Sequence, residues 1–280
     1  MQAEMISSRA KRVVALLAAL SFSIATGCKV SPEQERQIGV QESTQIDSEM
    51  PLIRDTAIEQ FVTALGKSMT SKTSRADLDW HFSVVNSPEV NAFALPGGFI
   101  YVNRGAIEQA DRLDELAGIM GHEIGHVIER HSAGQIEQAE KDQVAVVLLC
   151  TLTRACRTIG GILALRIGAD AKTAHYSQKD EAQADSEGVM NTLRAGIDPE
   201  GLPTFFQKLL DKRAQQPTEV EAFFSTHPTD QSRVNATRKQ IEGLGSAVGK
   251  DLVRDTPEFH AIQARVKTIP PPPKTPPPNR

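Results

Sequence analysis

The chain has 280 residues, with 31 Lys and Arg against 35 Asp and Glu and a formal charge of −4. With 40% hydrophobic and 24% charged residues, it is too apolar to be disordered throughout and too evenly charged for a polytopic membrane protein. The negative balance argues against a general nucleic-acid binder. Three cysteines leave at least one without a partner in the chain.

In chain order, the N-terminus reads as an export signal. Arg9, Lys11 and Arg12 precede an apolar run from Val13 to Ile24, which leads into Ala25-Thr26-Gly27-Cys28. A basic patch, an apolar stretch of about 7–15 residues and small residues at its end describe a secretory signal peptide. The run falls well short of the roughly 20 residues that span a bilayer. Ala25–Cys28 resembles the lipobox of bacterial lipoproteins, with Ala where Leu is usual. That resemblance implies cleavage after Gly27, lipidation of Cys28 and, with Lys29 following, an outer-membrane lipoprotein facing the periplasm. A soluble periplasmic protein is the alternative.

Helical patterns follow from Pro32 to Met50 and from Asp55 to Thr70, and alternation from Trp80 to Asn86 predicts a strand. Between Val90 and Gly105 two apolar, aromatic-rich runs flank Pro96-Gly97-Gly98, the pattern of a hairpin. Helical signals dominate from there to about residue 244. Strands gathered early and helices later predict an α+β fold, mostly helical with a small antiparallel sheet. Val144 to Ala169 is apolar but carries Arg154, Arg157 and Arg166, so it reads as a helical hairpin near a cleft rather than a membrane span. Cys150 and Cys156 lie in it; on one continuous helix they point about 240° apart, so a disulfide requires a break and the pairing stays open. From Ile269 the chain reads IPPPPKTPPPNR, an extended tail. The expected organisation is a signal peptide over 1–27, one domain over 28–268 and a proline-rich tail over 269–280.

The chemistry sits between Asp111 and His131. His122, Glu123 and His126 form H-E-x-x-H, and two histidines four apart on a helix lie about 40° apart around its axis, so both rings can reach one ion. Neutral imidazole suits zinc, and the adjacent Glu is placed to take a proton from water. Leu113, Leu116, Ala117, Met120, Ile124, Val127 and Ile128 form an apolar stripe away from the two histidines. Gly118, Gly121 and Gly125 make a third strip where another backbone could approach. His131 falls with the apolar stripe and reads as a helix-end or core-edge histidine. The longer H-E-x-x-H-x-x-G-x-x-H pattern fails, with Glu129 and Ser132 at its last two fixed positions.

The third ligand therefore comes from elsewhere. The segment from Ser177 to Gly196 reads as a helix with Glu181 and Asp185 on one face. One carboxylate on the metal and a second one turn later fits a site whose ligand imidazoles need oriented N–H groups. An ordinary acidic helix face (Asp180, Glu181, Asp185, Glu187) is the plainer reading.

Four blocks, Asn91–Gly98 (NAFALPGG), His122–Ser132 (HEIGHVIERHS), Glu181–Asp185 (EAQAD) and Ser225–Pro228 (STHP), together resemble the HtpX and CAAX-prenyl-protease type of zinc metallopeptidase, especially its bacterial lipoprotein members. The resemblance implies a zincin-like domain with the small sheet beside the active-site cleft. It implies one zinc per chain on His122, His126 and Glu181, with Glu123 as general base and Asp185 orienting a ligand. Asn91, Ala92, Phe93, Ala94, Leu95, Pro96, Gly97 and Gly98 would supply an edge strand for an extended peptide. His227 would stabilise the oxyanion or cap the metal at rest, with Arg233 supporting the site or sharing the oxyanion. The implied function is a zinc endopeptidase in periplasmic and outer-membrane protein quality control. Its partners would be unfolded or misassembled proteins, outer-membrane proteins among them, and the membrane through a lipid anchor, with no nucleic acid. A second reading is a zinc-dependent periplasmic chaperone or assembly factor with latent peptidase activity. A third, hydrolysis of peptidoglycan peptides, lacks any separate wall-binding repeat here.

Overall fold

The computed structural model describes residues 29–139, 141, 176–249 and 251–272. The signal peptide, Cys28, the whole 144–169 segment with Cys150 and Cys156, and most of the proline tail lie outside the described residues. Among the described residues no helix is long and apolar enough to cross a membrane.

Helix α1 (Pro32–Glu49) starts where Ser31 and Gln34 cap each other's backbone N–H, with Pro32 in the first turn. That reciprocal arrangement satisfies two donors a helix start otherwise leaves free. Helix α2 (Thr56–Thr70) is capped by Asp55, which accepts from the N–H groups of Ala57 and Ile58. Three strands follow: β1 (His81–Val85), β2 (Ala92–Leu95) and β3 (Phe99–Asn103). Gly97 and Gly98, at φ 79° and 106°, make the β2–β3 hairpin, since only glycine adopts such angles freely.

The sheet order is β1-β3-β2, with β2 antiparallel to β3 but β1 parallel to β3. The sheet is small, as expected, but mixed rather than purely antiparallel. The reason is the link at residues 86–91, longer than a two-residue turn. It lets the chain skip one strand position, which β3 then fills beside β1. This leaves β2 at the edge.

Helices occupy the rest: α3 (Arg104–Gln109), α4 (Leu113–Ile128), α5 (Gln178–Arg194), α6 (Gly201–Gln215), α7 (Pro217–Thr226), α8 (Gln231–Leu244) and α9 (Pro257–Thr268). Residues 131–139 form a further helix directly after α4. One core joins Ile58 and Val62 of α2, Val84 and Ile100 of the sheet, Leu116 and Ile124 of α4, and Phe205 and Phe206 of α6. Every residue of α4 is buried, so both its apolar stripe and its histidine side are covered. The tail leaves along the surface, where Arg104 and Asn86 donate to the carbonyls of Ile269 and Pro270 at 3.0 and 2.8 Å.

Candidate metal centre

The glycine strip on α4 decides how the site is built. A Cβ added at Gly125 would lie 2.8 Å from the Ala184 carbonyl oxygen, and one at Gly121 would lie 3.1 Å from that of Gly188, both on α5. A Cβ at Gly118 would meet the backbone of Leu202 on α6 at 2.7 Å. Any side chain would hold these helices apart, so glycine is what lets α5 carry Glu181 up to the two histidines. Helix α5 begins with a Ser177–Asp180 capping box, which places Glu181 in its first turn.

His122, His126, Glu181 and His227 offer ligand atoms that all lie within 4.8 Å of one another, and all four are buried. The two Nε2 atoms of His122 and His126 are 3.1 Å apart. Glu181 lies 3.4 Å from His126 Nε2 and 3.6 Å from His122 Nε2. His227 Nδ1 is 3.4 Å from His122 Nε2 and 3.1 Å from Glu181. A tetrahedral zinc with bonds of about 2.0–2.1 Å separates its ligand atoms by about 3.3 Å. The separations in the cluster, with Glu181 facing His126 and His227 through Oε1 and His122 through Oε2, lie close to that value, and the donor set of nitrogens and a carboxylate fits zinc.

Around this cluster the partners are fixed. His122 Nδ1 is 2.9 Å from Asp185 Oδ1, the carboxylate contact that orients a ligand imidazole. Arg233 grips Asp185 through Nε and Nη2 at 2.9 and 2.7 Å. Its Nη1 pairs with Glu181 and also donates to the Pro228 carbonyl at 2.9 Å. All three nitrogens thus engage these neighbours, and the guanidinium holds Asp185, Glu181 and the 228–229 loop in place.

Glu123 is buried with neither carboxylate oxygen hydrogen-bonded, and Oε1 lies 3.3 Å from His227 Nε2. Burial raises its pKa against the pull of His227 and His122. Burial drives His126 far below the ordinary imidazole range, which favours the neutral form that ligates metal. Burial opposes the charge on Glu181 as well, but bonds from His126 and His227 outweigh it and keep that carboxyl well below the usual range. Asp185 is likewise lowered against burial, by His122 and Arg233. His227 is raised against burial, by the charges of Glu123 and Glu181.

The Asn91–Gly98 block forms β2 and its turn at the sheet edge beside α4. Asn103 N–H donates to the Asn91 carbonyl at 3.0 Å, so alternation points the backbone groups of Ala92 and Ala94 away from β3. The outward N–H of Ala92 donates to its neighbour Asn91 Oδ1 at 3.0 Å. The open edge thus begins after that point.

Two neighbours of the cluster escape a reading by sequence. His131 Nδ1 lies 3.0 Å from His126 Nδ1, and the Tyr176 ring stacks on His126 with centroids 3.9 Å apart. His131 corrects the expectation of a core-edge histidine, which assumed a helix continuous to residue 131. Helix α4 ends at Ile128, and Arg130 turns the chain with φ 59°. That turn swings His131 to the far side of His126. No glycine marks the stop, and nothing in the sequence before Ser177 singles out Tyr176.

The model of peptidase family M48 matches residues 55–241, which include all of these clustered residues. The beta-barrel assembly-enhancing protease of Escherichia coli (strain K12) is 30% identical over 247 residues, covering 85% of this chain and 49% of the relative. The putative beta-barrel assembly-enhancing protease of Vibrio cholerae is 26% identical over 222 residues, covering 76% and 45%. The mitochondrial metalloendopeptidase OMA1 of Schizosaccharomyces pombe is 30% identical over 209 residues, covering 75% and 59%. The chain spans about half the length of the first of these relatives. With the motif, the buried cluster and the match over most of its length, the chain belongs to peptidase family M48.

Proposed function

We propose that the protein is a zinc-dependent endopeptidase, with His122, His126 and Glu181 holding one zinc ion and His227 capping the fourth corner at rest. The observation that carries this reading is the convergence of four buried donors within 4.8 Å of one another, beside a carboxylate with no hydrogen bond of its own. Zinc held there supplies a Lewis acid for the scissile carbonyl and lowers the pKa of a water molecule to about 7. Glu123 takes the proton of the attacking water and returns it to the leaving amine. His227 swings out to admit substrate, and its Nε2 then donates to the developing oxyanion. Asp185 fixes the Nδ1 side of His122, while Arg233 holds Asp185 and Glu181 together. His131 fixes the Nδ1 side of His126. An extended peptide adds to the open edge of β2 through the backbone of Ala94 and the outward Ala92 carbonyl.

The signal-like N-terminus and Cys28 support an exported lipoprotein on the periplasmic face of the outer membrane, formed from residue 28 onward. Similarity to assembly-enhancing proteases supports unfolded or misassembled outer-membrane proteins as substrates. The capped geometry also fits the second reading, an assembly factor whose peptidase is latent until a client displaces His227. Cells carrying wild type or Glu123→Gln separate the two. A protease loses control of its clients in the variant, and uncleaved outer-membrane polypeptides accumulate. Equal levels of those polypeptides in both strains would overturn the protease reading.

A further inference from the structure

Beside the C-terminal half of β2 lies a cavity of about 330 Å³, lined by Ala94, Leu95 and Pro96 together with Ile136, Ala139 and Tyr176. It stands at the small end of ligand pockets, which run from about 300 to 1,000 Å³, room for one side chain rather than a cofactor. Its position ties it to the site. Ala94 carries the outward backbone of β2, and Tyr176 stacks on His126. A residue of a chain paired with β2 would drop its side chain here.

The polar lining is small and uneven. Glu42 of α1 contributes a carboxylate, joined by Gln135 and Ser132, with no Lys, Arg or His among the described lining residues. Ser132 is taken up by a hydrogen bond to the Tyr176 hydroxyl at 3.1 Å. Glu42 is half-buried and has no hydrogen bond or ion pair among the described residues, whereas its neighbours Asp47 and Glu35 both engage arginines. Burial without a partner raises its pKa, the mark of a charge that a cation would stabilise. A long side chain with an apolar stem and a cationic end matches such a wall, its methylenes on Leu95, Ile136 and Ala139.

We propose that this cavity is a specificity subsite that selects a lysine or arginine in a substrate chain paired with β2. The proposal rests on the peptidase reading above and names the side chain that reading leaves open. The test uses internally quenched peptides in which one lysine is walked through the sequence, each matched with a norleucine version. Wild-type protein should favour lysine over norleucine in kcat/KM by about tenfold at one position, the scale of one charge-assisted pair. Glu42→Gln should bring that ratio close to one, and Glu42→Lys should turn it towards a glutamate peptide. Ile136→Trp, which fills the cavity, should penalise both long side chains at that position alone.

A binding arm keeps the two claims apart. Labelled lysine and norleucine peptides are titrated by anisotropy into zinc-loaded Glu123→Gln protein, where no cleavage is needed. Lysine preference in binding with no cleavage by wild type sustains the subsite and sinks the peptidase reading. Cleavage with equal ratios at every position, or a ratio unmoved by Glu42→Gln, overturns the subsite and leaves the peptidase intact. Neither cleavage nor binding overturns both.

Discussion

The two sides of the metal cluster are held by different means. On one side α4 and α5 lie backbone against backbone, with added Cβ atoms meeting opposing atoms at 2.8 to 3.1 Å at Gly125, Gly121 and Gly188. His122, His126 and Glu181 ride on that contact, and packed backbones yield little. On the other side His227 caps the end of α7, its N–H donating to the Phe223 carbonyl at 2.8 Å, before a proline. Its loop is tied by side chains, through Thr229 to the His227 carbonyl at 3.0 Å and through Arg233 to that of Pro228 at 2.9 Å. Hydrogen bonds of this kind exchange with water at a net cost of about 1 kcal/mol each. The difference fits the proposed roles, three permanent donors and one that leaves.

Substitutions can break or sharpen that contrast. The largest effect should come from Glu181→Ala, which removes a permanent donor; zinc titration with a competing chelator should show affinity falling by more than about 100-fold, beyond the range for outer partners. Asp185→Asn keeps the shape but frees His122, and should cost about 10–100-fold in zinc affinity, read by the same titration. Gly125→Ala forces a Cβ against the Ala184 carbonyl and should lower stability by about 1–3 kcal/mol. Denaturant unfolding of the zinc-free protein measures that loss without the metal. The smallest effect belongs to His227→Ala. It should leave zinc bound within about tenfold, below the range for fixed partners. If His227→Ala lost zinc as completely as Glu181→Ala, the two sides would be equivalent and the contrast wrong.

Legibility followed locality. The H-E-x-x-H spacing is a property of a single helix, and Glu181 with Asp185 of another, so periodicity could place all of them. The hairpin was legible because Gly97 and Gly98 carry its turn. The glycine strip announced a close approach and the structure supplies α5 and α6 as what approaches. The parallel β1–β3 pairing was not legible, because strand order depends on how far a link reaches across the sheet. Nor was the contact of His131, since Arg130 adopts a left-handed turn that sequence assigns to glycine. The grip of Arg233 joins residues 48 apart in the chain, where no local pattern reaches.

On the proposed reading Glu123, buried and without a hydrogen bond of its own beside the metal donors, performs peptide hydrolysis. The most direct measurement is casein cleavage by wild-type and Glu123→Gln proteins, each shown by metal analysis to carry one zinc per chain. Wild type should cleave, and the variant should keep its zinc while losing about 10²- to 10⁴-fold in rate. Cleavage by the zinc-loaded variant at the wild-type rate would contradict it.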